Sequence, residues 1–408
     1  MSGARPIKMS YTPDNAMFAG FQGLAVINAR VFDGEKFTRY NCVAVENGRI
    51  KSLLPLKPGQ KPGGNFGIID ARGKIACPGF IDMHTHGAAG IDAMEVTCAG
   101  DLRKISAAYA QSGVTSAVLA YFYTKGKSAL DEAVDSCGGA FAGARIIGTY
   151  LEGPFISLKK RGMIDKKHIM RSGCNAEKKL LEVLSGRKTL KVMTVAPEFD
   201  NAARIISSLK KTSIIPAIGH TDAGFDETSR AIAAGAGHVT HIFNAMRGFH
   251  HRDPGPVATI AGSCATAEII CDGAHLHPET VKLLFKFMGA NRLVLITDST
   301  AMQGYPAGKY ENSAGKFAIK NGAAYRDKNT LIGSCTPVNA MMRNIKKWGA
   351  ASTGEILMTA TSTPARALGL SDTGRLKRGM RADIAVIDDD FNVFRTIAGG
   401  KIVFGAGI

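Results

Sequence analysis

At 408 residues, 45% of them hydrophobic and 21% charged, the chain has the length of one large barrel or two domains and the balance of a globular protein. Fifty-one Lys and Arg against 34 Asp and Glu give a formal charge of +17, which admits nucleic acid, an anionic membrane or an anionic small substrate as partner. No window approaches the ~20 apolar residues of a membrane span, and no nucleic-acid-binding motif with interleaved aromatics accompanies the basic excess, so membrane and nucleic-acid partners are set aside.

The N-terminal stretch MSGARPIKMSYTPDNAM has no long apolar core and does not read as a signal peptide. Eight cysteines (42, 77, 98, 137, 174, 264, 271 and 335) are scattered in apolar runs, with no C-x-x-C pair. That argues against a zinc ribbon or thioredoxin-type site and for buried thiols in a reducing, cytoplasmic compartment. GLAVINARVFDG and NCVAVENGRIKSLLP then read as short strands, with a hairpin signal at Asn47-Gly48. RADIAVIDDDFNVFRTIAGGKIVF near the C-terminus has the same texture. The expectation is a small β-domain built from both ends (1–76 plus 372–408) around a different middle (77–371).

That middle alternates strand-like runs with helical patterns. Strands are predicted near Gly79–His84, Val114–Tyr121, Arg145–Glu152, Lys191–Pro197, Ile214–His220, His238–Asn244, Thr266–Asp272 and Arg292–Asp298. DLRKISAAYAQSG, ALDEAVDSC, NAARIISSLKK and PETVKLLFKFMG read as helices between them. About eight such units is the count of an α/β protein of the (β/α)8 TIM-barrel type. A doubly wound open sheet is the alternative, disfavoured because no G-x-G-x-x-G follows the first strand. Much of the basic surplus falls in Leu158–Lys191 and reads as a solvated face.

Polar residues recur where these strands end: His84 and His86 after GFIDM, Glu152 after RIIGTYL, His220 after IIPAIG, His241 after HVT and Asp298 after RLVLIT. In a barrel the C-terminal strand ends converge on one mouth, so residues far apart in sequence would meet there. Taken singly, a His at a strand end is most often a hydrogen-bonded core residue and an Asp before Ser299 a cap. In H-x-H, however, alternating side chains point the same way, so His84 and His86 can grip one ion. Imidazole and carboxylate donors suit Zn, and also Fe, Mn or Co. One or two divalent ions can be accommodated, with Glu152 bridging a His84/His86 pair and a His220/His241 pair. A nearby cation also offsets the cost of burying the Glu152 carboxylate. Metal coordination lowers the pKa of water, and Asp298 would take the proton from that water and pass it to the leaving group.

The ordered motifs PGFIDMHTHG, LEGPFIS, TVAPE, AIGHTDA, THIFNAM, HRDPGPV, CDGAHLHP and LITDSTAMQG resemble the N-acetylglucosamine-6-phosphate deacetylases of the amidohydrolase superfamily over nearly the whole chain. Dihydroorotase- and hydantoinase-like relatives bridge their metals with a lysine from the fourth strand; here that strand ends in Ala196-Pro197-Glu198. The resemblance implies a metal-bearing barrel with a terminal β-sandwich and a homodimer. It implies Glu152, His220 and His241 as core metal ligands, with His84 and His86 as a second-site pair and Asp298 as the catalytic acid/base. Asn244, Ala245 and Arg252 match phosphate contacts, Arg252 reaching across the dimer, and His275 matches a further substrate contact. Met163, in one of two segments that depart from the family pattern, and Ile332, just before the other, are also placed at the substrate.

The first of those segments is RGMI, in which Ile164 stands where a carbonyl-polarising histidine is usual; His168 or a second metal are the substitutes considered. The second is GSCTPV (Gly333–Val338), in a loop that lines the sugar pocket of the family. Three functions are therefore carried forward: N-acetylglucosamine-6-phosphate deacetylase, a same-fold enzyme for another N-acyl substrate such as N-acetylgalactosamine-6-phosphate, and a non-catalytic barrel.

Overall fold

The computed structural model describes residues 20–405 apart from 125–128, 138–140, 142, 171–180, 183, 185, 313–314 and 328–329. Cys174 and the basic residues Arg171, Lys178 and Lys179 therefore lie outside the described residues. Eight parallel strands form one sheet in sequential order: β1 (Phe80–Thr85), β2 (Val114–Phe122), β3 (Arg145–Glu152), β4 (Leu190–Val195), β5 (Ile215–Ile218), β6 (His238–Val239), β7 (Thr266–Ile269) and β8 (Leu293–Leu295). β2 is buried along nearly its whole length, as strands covered on both faces must be.

β1 and β8 meet beyond the regular ladder and close the barrel. The buried Asp82 carboxylate accepts from the Thr297 amide at 3.2 Å and the Thr297 hydroxyl at 2.5 Å. Above it, the Asp298 amide donates to the His84 carbonyl at 2.9 Å and the His86 amide to the Ser299 carbonyl at 2.8 Å. The closing seam thus places Asp298 beside both histidines of the H-x-H pair.

Helices follow the strands as amphipathic patterns predict. Ala202–Lys210 buries Ala202, Ile205, Ile206 and Leu209, and Pro278–Met288 buries Val281, Leu284, Phe285 and Met288. Both stripes have the i, i+3, i+4, i+7 spacing of one helix face.

Residues from both ends of the chain build a second unit of two sheets. One contains Arg49–Leu54, Cys42–Glu46, Gly23–Ile27 and Phe66–Asp70. The other pairs Ile75–Pro78 with Ile384–Ile387 and continues into Val393–Ala398 and Lys401–Gly405. Val26, Val43, Ile50 and Ile69 from the first sheet pack on Val31, Ile384, Ile397 and Ile402 from the second, a β-sandwich core. The expected division at 76/77 falls inside the strand Ile75–Pro78. The Asn47-Gly48 hairpin is present, with φ of 51° and 72°.

One element was not anticipated. Between β8 and the helix Val338–Lys347, four antiparallel strands (Gly308–Asn312, Gly315–Lys320, Ala323–Tyr325 and Leu331–Ser334) form a small sheet over the barrel mouth. Its signal was in the sequence: Asn321-Gly322, with φ of 51° and 79°, is the same hairpin dipeptide as Asn47-Gly48.

Candidate metal centre

Strands β5, β6 and β8 end earlier than their apolar runs suggest, for a common reason. His220 (φ 47°), His241 (φ 25°), Phe243 (φ 73°), Ala245 (φ 46°) and Asp298 (φ 46°) all take left-handed backbone conformations. Such values leave the ladder and are uncommon for side-chain-bearing residues; they persist where surrounding structure imposes them, often at functional sites. Gly219, just before His220, is required by close approach, since a Cβ there would stand 2.6 Å from Cβ of Thr240.

The turned-out side chains converge on Glu152. Its Oε1 lies 2.9 Å from His84 Nε2 and 2.8 Å from His86 Nε2. Its Oε2 lies 2.7 Å from His220 Nε2 and 3.6 Å from His241 Nε2. Asp298 Oδ1 is 3.2 Å from His86 Nε2 and 3.6 Å from His84 Nε2. Two overlapping donor groups result, one of His84, His86, Glu152 and Asp298 and one of Glu152, His220 and His241, each with its donor atoms within 4.8 Å of one another. Both groups share Glu152, the position a bridging carboxylate would occupy.

The tautomers point the same way. His220 donates Nδ1–H to the Lys160 carbonyl at 2.9 Å, which leaves the Nε2 lone pair facing inward, 3.1 Å from His241 Nε2. His84 donates Nδ1–H to Glu268 Oε2 at 2.9 Å, so its Nε2 faces Glu152. Inward-facing nitrogens and carboxylates packed this closely repel unless positive charge lies among them, and a cation or protons must supply it. The titrations carry the same message. Burial alone would lower the His86 pKa, but its hydrogen bonds with Asp298 and Glu152 and their charges raise it to about 10. Burial would raise Glu152, yet the His84 charge and the hydrogen bonds from His220, His241 and His84 hold it well below the usual carboxylate range. The donor types, their convergence and this demand for positive charge fit a divalent ion of the zinc class.

Glu268 was not singled out from the sequence. On β7 and fully buried, it accepts from His84, from His238 Nε2 at 3.0 Å and from the His241 amide at 2.9 Å. His238 in turn bonds Thr266 Oγ1 at 2.7 Å. Burial would raise the Glu268 pKa; the charge of His84 and the hydrogen bonds from His238 and His84 bring it to about 2. Glu268 thereby orients a metal-facing imidazole through its far nitrogen. The signal that could have found it was a lone Glu in the apolar run ATAEIICD. Below the site, Tyr150 stacks on His84 with centroids 4.3 Å apart, and its hydroxyl bonds Thr240 Oγ1 at 2.8 Å.

The cleft over the cluster holds about 180 Å³ and is lined by Asn244, Ala245, His275, Met163, Ile164 and Ile332, besides Phe122 and the ligand residues. His275 donates Nδ1–H to Asp272 at 2.7 Å, which leaves Nε2 as an acceptor. Burial would raise Asp272, but the hydrogen bonds it accepts from the His275 side chain and from the His275 and Ala274 amides lower it. The loop after β3 clamps the site: Ser157 N–H donates to the His220 carbonyl at 2.9 Å. Gly162, at φ 57°, faces the His220 ring, which a Cβ there would meet at 3.6 Å. Ile164 is buried and faces the cleft. His168 points elsewhere, its Nδ1 bonded to the Tyr123 carbonyl at 2.6 Å and its ring beside Phe122, so the loop shift considered from the sequence is not observed. Arg252 is exposed and does not line this cleft.

Comparison with known proteins agrees with this geometry. The model of the Amidohydrolase family matches residues 75–403. The N-acetylglucosamine-6-phosphate deacetylase of Bacillus subtilis (strain 168) is 33% identical over 371 residues, covering 89% of this chain and 92% of that protein. The N-acetylgalactosamine-6-phosphate deacetylase of Escherichia coli O157:H7 is 32% identical over 332 residues, covering 80% of this chain and 87% of that protein. A Mycobacterium smegmatis N-acetyl-D-glucosamine-6-phosphate deacetylase mutant, solved in complex with N-acetyl-D-glucosamine-6-phosphate, superposes with a TM-score of 0.81 at 27% identity, covering 94% of this chain and 99% of that one. The chain belongs to the amidohydrolase superfamily, in its N-acetylglucosamine-6-phosphate deacetylase family.

Proposed function

We propose that this protein is a divalent-metal-dependent hydrolase that converts N-acetylglucosamine-6-phosphate to glucosamine-6-phosphate and acetate. The observation that carries the reading is Glu152, with a histidine pair on each oxygen and Asp298 beside His86. Glu152, His220 and His241 would hold one ion, and His84 and His86 with Glu152 a second; Zn is the first choice, with Fe, Mn and Co as alternatives. When bound, such a cation supplies a Lewis acid and a water of lowered pKa.

The chain's residues do the rest. Asp298 is ionised: burial would raise its pKa, but its hydrogen bond from His86 and the charges of His84, His86 and His241 drive it far down. It therefore accepts a proton from the attacking water and delivers it to the amine as the C–N bond breaks. His275 offers Nε2 to a sugar hydroxyl. Asn244 and Ala245 hold the phosphate end, and Arg252 completes that site from the partner in a homodimer. Its exposed place outside its own cleft is what a residue acting in trans requires. Phe122, Met163, Ile164 and Ile332 are apolar walls that exclude water and strengthen the charges within. Ile164 cannot donate a hydrogen bond to the carbonyl, a polarisation that a bound divalent ion would supply.

The seven described cysteines are free, and no helix among the described residues is long and apolar enough to cross a membrane. The free thiols, five of them buried, support a reducing, cytoplasmic location. N-acetylgalactosamine-6-phosphate is the second reading, favoured by the Escherichia coli relative. A non-catalytic barrel is disfavoured by the complete ligand set.

The test is acetate release from the 6-phosphates of N-acetylglucosamine, -galactosamine and -mannosamine and from N-acyl amino acids, with metal analysis of the same sample. N-acetylglucosamine-6-phosphate is expected to give the highest kcat/KM. Asp298→Asn is expected to lower kcat by about 10²- to 10⁴-fold with metal retained; undiminished turnover would remove Asp298 from its role.

A further inference from the structure

A second chamber of about 200 Å³ adjoins the catalytic cleft, sharing His86, Phe122, Met163 and Ile332 with it. The shared wall fixes which end of the cleft it serves. Glu152 Oε1 faces His84 and His86, while Oε2 faces His220. His220 lies on the Ala245 side, because a Cβ placed on Gly162 would touch both its ring and the Ala245 methyl. The second chamber opens at His86 and contains none of His220, His241, Asn244 or Ala245. A substrate whose phosphate lies at Asn244 and Ala245, with its amide over Glu152, therefore directs its acyl group into this chamber.

The chamber is larger than acetyl needs. Its volume corresponds to six or seven waters at ~30 Å³ each, whereas acetyl contributes one methyl group beyond the carbonyl. Much of its lining is apolar, with Phe122, Met163, Ala301, Met302, Phe317 and Ile332. Lys316, on the small antiparallel sheet, and Arg326, in the turn after its third strand, line it as well. Both cations are exposed, and neither has an ion pair with an acid among the described residues. Asp92, the chamber's acidic lining residue, is engaged by the Met94 amide at 2.8 Å.

From this arrangement we infer that the enzyme takes N-acyl amino sugar phosphates with acyl chains longer than acetyl that end in a carboxylate, the chain lying along the apolar wall and the carboxylate between Lys316 and Arg326. The inference rests on the deacylase reading above. The chemistry is the same hydrolysis: water adds to the carbonyl, the C–N bond breaks, the amine receives a proton, and a dicarboxylate leaves instead of acetate.

The experiment compares kcat/KM for N-acetyl-, N-butyryl- and N-succinyl-glucosamine-6-phosphate on the metal-loaded wild-type enzyme and on Lys316→Ala/Arg326→Ala. Hydrolysis of the N-succinyl compound within tenfold of the N-acetyl compound, and faster than the N-butyryl one, is the expected wild-type result. Exposed charge pairs are each worth at most about fivefold, so the double variant is expected to lower the N-succinyl to N-acetyl ratio by about tenfold. The charge-reversed pair Lys316→Glu/Arg326→Glu is expected to lower it further.

Hydrolysis of N-acetyl without N-succinyl substrate, or a ratio that both double variants leave in place, overturns the inference and leaves the deacetylase reading standing. Hydrolysis of N-succinyl without N-acetyl substrate supports the inference and corrects that reading. Hydrolysis of neither overturns both.

Discussion

The two halves of the metal centre share Glu152 and differ in everything else. On one side, His84 and His86 are surrounded by carboxylates: Glu152, Asp298 within 3.6 Å of both, and Glu268 behind His84. On the other side, Glu152 is the carboxylate in contact with His220 and His241, and the charge of Asp298 acts on His241 as well. The far nitrogen of His220 meets a backbone carbonyl, and His241 Nδ1 is buried with no hydrogen-bond partner among the described residues. Excess negative charge lets the first half hold protons when no cation is bound. In the second half burial would lower the His241 pKa, but its hydrogen bond with Glu152 and the charges of Asp298 and Glu152 raise it, so this half too can take up a proton when no cation is bound. The lesson is that two sites built from the same ligand types need not bind metal equally, because protons compete more strongly at one.

Several changes would break or sharpen that contrast. The largest effect is expected from Glu152→Ala, which removes the ligand common to both halves. Activity should fall by more than about 10³-fold and metal content should drop at both sites, read by turnover and elemental analysis. Retention of one full equivalent would show that the halves do not depend on the shared carboxylate.

Glu268→Gln should separate the halves. It withdraws the charged acceptor that orients His84, so affinity at the His84/His86 side should weaken by about 10- to 100-fold while the first equivalent remains tight. Equal loss of both equivalents in a metal titration would contradict the division.

The third change is pH. With His86 raised to about 10 in the metal-free cluster, protons oppose metal at neutral pH. Affinity for the second equivalent should rise by about tenfold per pH unit for each proton displaced between pH 7 and 10. The first equivalent should rise less steeply.

The smallest effect is on metal-free stability. A histidine whose folded pKa lies above its unfolded value contributes stability that is fully present below pH ~6.5 and is lost as pH rises through about 10. The Tm of the metal-free protein should therefore decline across that window, and loading with metal should suppress the decline. A flat metal-free profile would argue against proton occupancy of the His84/His86 half.

How much of this was legible before folding is best judged residue by residue. The eight barrel strands and their order, the helices Ala202–Lys210 and Pro278–Met288 and the Asn47-Gly48 hairpin follow from local periodicity and turn chemistry. So does the gathering of Glu152, the four histidines and Asp298, because parallel strands bring their C-terminal ends to one mouth. The antiparallel sheet over the mouth was missed although Asn321-Gly322 marks it; its mixed strands lack the apolar runs that announce barrel strands.

What the sequence determined by itself is the set of donors and the scaffold that assembles them, because both arise from patterns that recur along the chain. What only the tertiary structure decided is how those donors divide. Glu268 and His238 read as ordinary members of strands until the barrel closes and sets a carboxylate 2.9 Å behind His84. Ile164 read as a missing histidine until its buried place on the cleft wall was visible, with His168 turned to the Tyr123 carbonyl. Charge balance and tautomer depend on distances between residues remote in sequence, and distances of that kind exist only after folding.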